Sequence, residues 1–570
     1  MHILSRNEVT PVKRYQNHEA VRFSTLKELY HASAERFGDK PLFFQKQNQT
    51  YQAKSFRQYA ADVDALGTAL CAKGLAGKHF LLVGENRWEW AIAYMAIACG
   101  VGTVIPVNPK LSPAALAKLA KTANADVIVH NLPSDVISTL EGETLCISFD
   151  ELAHLIRNGN ARLAAGDRTF LETEPDADAV CTVVFSSVGT DARGVMLSQR
   201  NLCFNLFETS RMVRIDEKDR LLAVLPMHYA VQTVCGFLWP LSRGCSVVFG
   251  EGLRQLSRNL REARPTVLLG IPLLLETMYA KIRASIRREN VEKQIQKRID
   301  FSNAIPNPDA GREAKKHLFS PLLKSFGGNL RLLISIGALT DPDVLKGWRD
   351  LGVSAIQAYE VTECAALAAI NRDGFFKDLS VGMAFPDSII DIFDMKEDGT
   401  GEIRFRGENL MKGYYNRPDL TEKVLRGGWL YTGDVGYLDE EGFLFVIGKK
   451  ENAIVHKSGE EIYPEEQEWL LNRSPLVKES IVIGRANATK DQVELVAVLH
   501  LDREECERRL GNNPSAKLLD LELRRLISSI NGSLPAHKRI DSFVICDEPF
   551  PKTVSHRIKR DKITATFAQC

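Results

Sequence analysis

The feature that most restricts the fold of this chain is a series of short, mainly apolar runs separated by helix-length amphipathic segments. His79-Phe-Leu-Leu-Val83 is followed by a predicted helix over residues 88–99. Residues 102–106 form a second run before a helix over 113–123, and residues 125–129 form a third. A strand without polar alternation is buried on both faces, and intervening helices supply the cover. The pattern predicts a parallel sheet of the α/β class. It resumes after residue 178, with runs at 181–185, 221–225, 246–249, 266–269, 330–334 and 355–358. These predict a second doubly wound sheet. Upstream, a helix is expected to start at Ser24 or Thr25 and end at Gly38, and another to cover 54–73 and stop at Gly74.

Beyond residue 382 the texture changes to short alternating strands with turns (IIDIFDMKEDGTGEIRFRG), an antiparallel β section. The last 120 or so residues have their own strands at 480–483, 494–499 and 542–546 and a helix at 517–530, a small α+β unit. At 570 residues the chain exceeds what one core can organise. The expected division is a large domain over 1–447, a hinge over 448–452 and a mobile α+β domain over 453–570. The joint Gly448-Lys-Lys-Glu-Asn452 is short and charged, which suits a hinge.

Bulk properties exclude several classes. A net charge of +1 argues against a general nucleic-acid or membrane-binding surface. The 11 cysteines are scattered and form no CxxC pair, which reads as reduced thiols in a cytoplasmic protein. No signal peptide and no membrane-spanning run is expected. The Lys-, Arg- and Glu-rich region 281–320 reads as solvated helices.

Five stretches carry chemistry. Thr432-Gly433-Asp434 reads as a tight turn holding a carboxylate, suited to vicinal hydroxyls. Taken alone it is equally a surface hairpin. Phe185-Ser-Ser-Val-Gly-Thr-Asp-Ala-Arg-Gly194 is a strand feeding a hydroxyl-rich loop with one cation, Arg193, able to face phosphate oxygens. Leu225-Pro-Met-His-Tyr229 ends a strand in a histidine, more often structural than catalytic when alone. Gln357-Ala-Tyr-Glu-Val-Thr-Glu363 ends another with an aromatic, a hydroxyl and a carboxylate, which together offer a stacking face, a phosphate contact and a Mg²⁺ ligand. Pro551-Lys-Thr-Val-Ser-His-Arg-Ile-Lys-Arg560 is a basic segment near the end.

In this order the stretches resemble the motifs of the adenylate-forming superfamily. That group holds acyl-CoA synthetases, luciferase-like enzymes and adenylation domains of peptide synthetases. LPMHYA, AYEVTECAA, GGWLYTGDVGYLDEEGFLFVIGKK and KSGEEIYPEEQE resemble above all bacterial long-chain fatty acid–CoA ligases. The resemblance covers nearly the whole chain. It implies that a carboxylate attacks the α-phosphate of ATP-Mg²⁺, and that CoA then displaces AMP from the acyl-adenylate after the small domain swings. It also implies roles for individual residues. Asp434 would bind ribose, Tyr359 would stack on adenine, and Thr362 would contact the α-phosphate. Glu363 would hold Mg²⁺. Ser186, Ser187 and Thr190 would belong to the phosphate loop with Arg193. Gly337 and Ala338 would lie at the nucleotide. His228 or Tyr229 would line the acyl entrance, Lys449 would follow the hinge glycine, and Gly459 would lie beside the pantetheine tunnel. Arg557 occupies the position of the family's catalytic lysine.

Departures cluster at the ATP-contacting positions. The family's phosphate loop is roughly Tyr-Thr-Ser-Gly-Thr-Thr-Gly-x-Pro-Lys-Gly. Here it is one residue shorter, with Val188 at the first glycine, Ala192 for proline and Arg193 for lysine. Ile336, Ala358 and Glu360 stand at three further glycines, and Glu360 would bring a negative charge near ATP. Lys449 replaces an arginine, and Arg557 a lysine whose loss in this family mainly damages adenylation. Two alternatives therefore stand beside a fatty acid–CoA ligase. One is a weakened or inactive protein that binds nucleotide, acyl-adenylate or a partner. The other is an adenylating enzyme with an acyl carrier protein or amine as acceptor. Acyl chain length and oligomeric state are not encoded in any local pattern.

Overall fold

The first apolar runs become the centre of a seven-stranded sheet in the computed structural model, which describes residues 15–138, 144–185, 193–455, 460–486, 493–552 and 558–567. From one edge its strands are Gly413–Tyr414, Gly194–Ser198, Val180–Phe185, Gly102–Val107, Lys78–Val83, Val127–His130 and Leu145–Ser148. The five from Val180–Phe185 onward run parallel. The run at 181–185 was expected to open the second sheet, yet Thr182 pairs with Val104 of the first. Apolarity shows that a strand is buried on both faces. It does not show beside which neighbour.

A second sheet takes the strands Thr50–Ser55, Pro41–Gln47, Ser246–Phe249, Arg220–Ala223, Val267–Gly270, Leu332–Ile336, Ser354–Val361, Ala366–Ile370 and Gly382–Ala384 in that spatial order. Pro41–Gln47 through Ser354–Val361 are parallel to one another. Helices expected from amphipathic spacing cover the sheets. Thr25 caps the helix Leu26–Phe37 by accepting from the Glu28 amide. Ser55 and Gln58 form a capping box that starts the next helix at Phe56, two residues later than its expected start, because residues 50–55 are a hairpin strand.

By internal contacts the chain divides into two units. One holds residues 1–391, 405–430 and 439–444; the other holds 392–404, 431–438 and 445–570. In the second unit a three-stranded sheet, Val477–Ala486, Val493–Leu501 and Ser542–Ile545, is backed by the helices Glu465–Asn472 and Ala516–Asn531. Among the described residues, no helix is long and apolar enough to cross a membrane.

Candidate active site

In open α/β sheets, side chains that meet ligands gather at the carboxyl ends of the parallel strands. Ser354–Val361 is such a strand. A β-bulge at Tyr359/Glu360 disturbs its pairing with Ala366–Ile370, and the chain turns through a 3₁₀ segment, Thr362–Cys364. The turn is closed by two alanines at positive φ, Ala365 at 55° and Ala366 at 105°. Alanine pays a steric cost there, so the surroundings must hold the backbone in place.

Two buried asparagines do so. The Asn205 amide donates to the carbonyls of Cys364 (2.9 Å) and Leu367 (2.7 Å). The Asn409 amide reaches the same two carbonyls at 3.3 Å. The Met411 amide donates to the Glu363 carbonyl at 2.8 Å. The strained turn presenting Thr362 and Glu363 is thus tied to two distant segments. Asn205→Leu removes two of these donors and leaves buried carbonyls short of partners. It is expected to cost about 1–3 kcal/mol in thermal unfolding and to slow pyrophosphate release about tenfold by loosening the turn. An unchanged rate in a folded Asn205→Leu protein contradicts the clamp.

Glu363 is positioned by a residue that sequence reasoning missed. The Tyr414 hydroxyl donates to Glu363 Oε1 at 2.7 Å. Burial, then the Glu363 charge, holds the Tyr414 phenol well above its usual range, and a hydrogen bond from Arg193 pulls the other way. Strand pairing explains the meeting. Tyr414 is registered against Val195, two residues past Arg193, and the Tyr415 amide donates to the Gly194 carbonyl at 2.7 Å. Arg193 and Glu363, both expected at the site, are therefore brought to one phenol. Among the described residues no cluster of three His, Cys, Asp or Glu could hold a metal. A single positioned carboxylate fits Mg²⁺, which takes one or two carboxylates and completes its shell with phosphate oxygens and water.

Tyr359 is half-buried, 5.9 Å from the Phe405 ring. Gly337 (φ 99°) and Ala338 form an exposed turn after the neighbouring strand, where Ile336 is registered against Ala358. Ile336 itself is 1% exposed and belongs to the core. Glu360 acts on the segment that follows His228. Burial raises the Tyr229 phenol and the Cys235 thiol, and the Glu360 charge adds to both. The Glu360 charge is thus felt in the neighbourhood of His228.

His228 sits in a loop fixed by Asn86, whose side chain accepts from the Met227 amide (2.8 Å) and donates to the Leu225 carbonyl (2.7 Å). Its ring meets Tyr229 edge-on at 4.7 Å. Burial, reinforced by the Lys110 charge, lowers its pKa to about 4. Between the unperturbed value of about 6.5 and that folded value, the unfolded chain binds more protons than the folded one. Stability therefore rises with pH across this window, by on the order of 3 kcal/mol, and is lost as pH falls through it. Melting profiles from pH 7 to 4 should show this loss in the parent and a smaller one in His228→Leu.

In the second unit, Thr432-Gly433-Asp434 is not on a turn but inside the strand Trp429–Leu438, where Gly433 at φ 72° bends the backbone. Thr432 Oγ1 donates to the Ile403 carbonyl at 2.8 Å and accepts from the Asp434 amide at 3.1 Å. Lys449 Nζ donates to Asp434 Oδ1 at 2.7 Å, and Lys450 Nζ to Glu402 Oε2 at 3.0 Å. Lys449 ends the strand Phe443–Lys449 and Lys450 opens a 3₁₀ turn, Lys450–Asn452, within the expected hinge. Ser186, Ser187, Thr190, Gly459 and Arg557 lie outside the described residues. Among the described residues on either side of 553–557 in the sequence, Lys552 and Ile558 form a β-bridge, and Arg560 is bound to Glu468.

A family model described as "AMP-binding enzyme" matches residues 30–415, and one described as "AMP-binding enzyme C-terminal domain" matches 451–570. The chain belongs to the AMP-binding, adenylate-forming enzyme family. A long-chain-fatty-acid–CoA ligase of Rattus norvegicus (ACSBG2) is 25% identical over 508 residues, 81% of this chain and 75% of that protein. The Mus musculus long-chain-fatty-acid–CoA ligase 6 is 28% identical over 488 residues, 78% of this chain and 69% of that protein. Among solved AMP-binding folds, the Bacillus subtilis o-succinylbenzoate coenzyme A synthetase bound to ATP and magnesium superposes with a TM-score of 0.72. It is 21% identical and covers 94% of this chain and 99% of its own. The Mycobacterium tuberculosis fatty acyl CoA synthetase superposes at 0.64 with 18% identity, covering 96% and 99%.

Proposed function

We propose that this AMP-binding enzyme activates a carboxylic acid, a medium- or long-chain fatty acid, with ATP and passes the acyl group to CoA. The observation that carries the reading is the convergence of Arg193, Tyr414 and Glu363, where the carboxyl end of the strand Ser354–Val361 meets the antiparallel edge strands Gly194–Ser198 and Gly413–Tyr414 of the other sheet. The relatives' names, fatty-acid–CoA ligases at 25–28% identity, support the acid class.

In this reading Tyr359 stacks on adenine and Asp434 accepts from the ribose hydroxyls. Thr362 and Arg193 hold the α-phosphate, and Tyr414 occupies one Glu363 oxygen so that the other faces the cation. Mg²⁺ held there would neutralise charge developing on the phosphates. The acid's carboxylate oxygen bonds to the α-phosphorus as pyrophosphate leaves. The CoA thiolate then attacks the acyl carbon as AMP leaves. The segment 448–452 serves as the hinge between domains 1–447 and 453–570, with Gly459 along the path of the thiol.

Pyrophosphate release with acids of several lengths, with and without CoA, tests this. Release that requires an acid, with acyl-CoA formed only when CoA is present, is the expected result. A folded protein inert with every acid contradicts it. Arg557→Lys restores the compact ammonium of the family motif and is expected to speed the adenylation half at least several-fold. An unchanged single-turnover rate removes Arg557 from the account.

A further inference from the structure

Two side chains near the candidate acyl entrance, half-buried His228 and fully buried Gln232, have buried polar atoms with no hydrogen-bond partner at all. Neither ring nitrogen of His228 is paired, and neither amide atom of Gln232 is, although Gln232 is 0% exposed. Elsewhere among the described residues such orphaned side-chain atoms come one to a residue. Only these two residues lose both, and they lie four apart in the sequence, on either side of the start of one helical turn. The Tyr229 carbonyl between them accepts from the Thr233 amide at 2.9 Å.

Their neighbours are paired with care. Asn86 satisfies Leu225, Ala223 and Met227, and Thr233 Oγ1 donates to the Met227 carbonyl at 2.6 Å. The Gln232 amide lies flat against Gly236, where any Cβ would collide with it. The segment is packed on the strand Ala366–Ile370, which leaves the Thr362–Glu363 turn. Burying polar groups unpaired is costly, and leucine would fill the same space without that cost. Such exceptions point to a partner that arrives with a ligand.

We propose that His228 and Gln232 form a recognition site for a hydroxyl group carried on the acyl chain of the substrate. A carboxamide offers two donors and an acceptor, and a neutral imidazole offers one of each. Neither carries charge, so the match is a neutral group. A hydroxyl both donates and accepts and can satisfy the two side chains together, whereas a keto oxygen only accepts. An unsubstituted alkyl chain would leave both residues orphaned. The proposal rests on the acyl-activation reading above.

The test compares dodecanoic acid with hydroxydodecanoic acids bearing the hydroxyl at successive positions, by pyrophosphate release in the parent and in Gln232→Leu. At least one hydroxy acid should exceed dodecanoic acid about tenfold or more in kcat/KM in the parent. In Gln232→Leu that ratio should fall to about one, with a melting temperature no lower than the parent's, which shows that the variant folds. Equal or better use of dodecanoic acid at every hydroxyl position overturns the inference and leaves the activation reading standing. So does a preference that survives in Gln232→Leu, as when only water fills the site. If no acid releases pyrophosphate, the activation reading fails instead. Calorimetric titration of the same acids then decides. Tighter binding of a hydroxy acid that Gln232→Leu abolishes supports the site, and indistinguishable binding overturns it.

Discussion

Glu363→Gln is expected to lower pyrophosphate release by about two to three orders of magnitude, the scale of losing one electrostatic contact to the reacting phosphates. The substitution keeps size and can still accept from the Tyr414 hydroxyl, which now meets Glu363 Oε1 at 2.7 Å. Folding should be unaffected, because the side chain is half-buried at a strand end rather than in the core. What it removes is the negative charge that would balance a divalent cation. Two readouts separate that loss from a general disturbance. The Mg²⁺ concentration for half-maximal rate should rise, and the circular dichroism spectrum and melting temperature should match the parent's. A variant that retains parental rate at limiting Mg²⁺ contradicts the assignment. Tyr414→Phe should give a smaller loss of the same kind, because it frees the carboxylate to turn without removing its charge.

The largest effect on stability is expected in the second unit. Glu468 is 8% exposed and receives both a bidentate contact from Arg560, at 2.7 and 2.5 Å, and the Val482 amide at 2.7 Å. Arg560 also donates to the Val482 carbonyl at 3.1 Å. Burial pushes the Glu468 carboxyl up against the pull of Arg560. Glu468→Leu strands a guanidinium and an amide in a partly dry site, and should cost about 3–5 kcal/mol in denaturant unfolding. Glu468→Leu with Arg560→Met should recover most of that loss, since replacing both charges removes the unpaired one. If the double variant is as unstable as the single one, the pair is not what holds this segment. In the parent, Arg560 anchors the described chain that resumes at residue 558 to Glu468 and the Val482 carbonyl.

How much of this was legible from residues depended on the range of the signal. The runs at 79–83, 102–106 and 246–249 announced buried parallel strands because apolarity is local. The first helix cap, expected at Ser24 or Thr25, was legible for the same reason, whereas the cap at Ser55 and the hairpin before it were hidden by the polar residues Gln45 to Gln47 and Gln52 to Lys54. Thr432-Gly433-Asp434 has the composition of a turn, yet neighbouring strands override it, and Gly433 absorbs the bend at positive φ. Asn205, Asn409 and Tyr414 had no local signature. Their partners lie 42 to 162 residues away, and the register of Gly413–Tyr414 beside Gly194–Ser198 brings Tyr414 to Arg193 and Glu363. The motif suggested a role for Thr362 and Glu363, whereas the clamp that holds their turn had no trace in it.

The central claim is that this chain joins a carboxylic acid to AMP. The most direct measurement mixes the protein with ATP, Mg²⁺ and a fatty acid in the absence of CoA and examines the quenched mixture by mass spectrometry. The account predicts an acyl-adenylate, at most one per protein while it stays bound, which disappears into acyl-CoA when CoA is added. A protein that binds ATP, remains folded and yields no acyl-adenylate with any acid tested contradicts it.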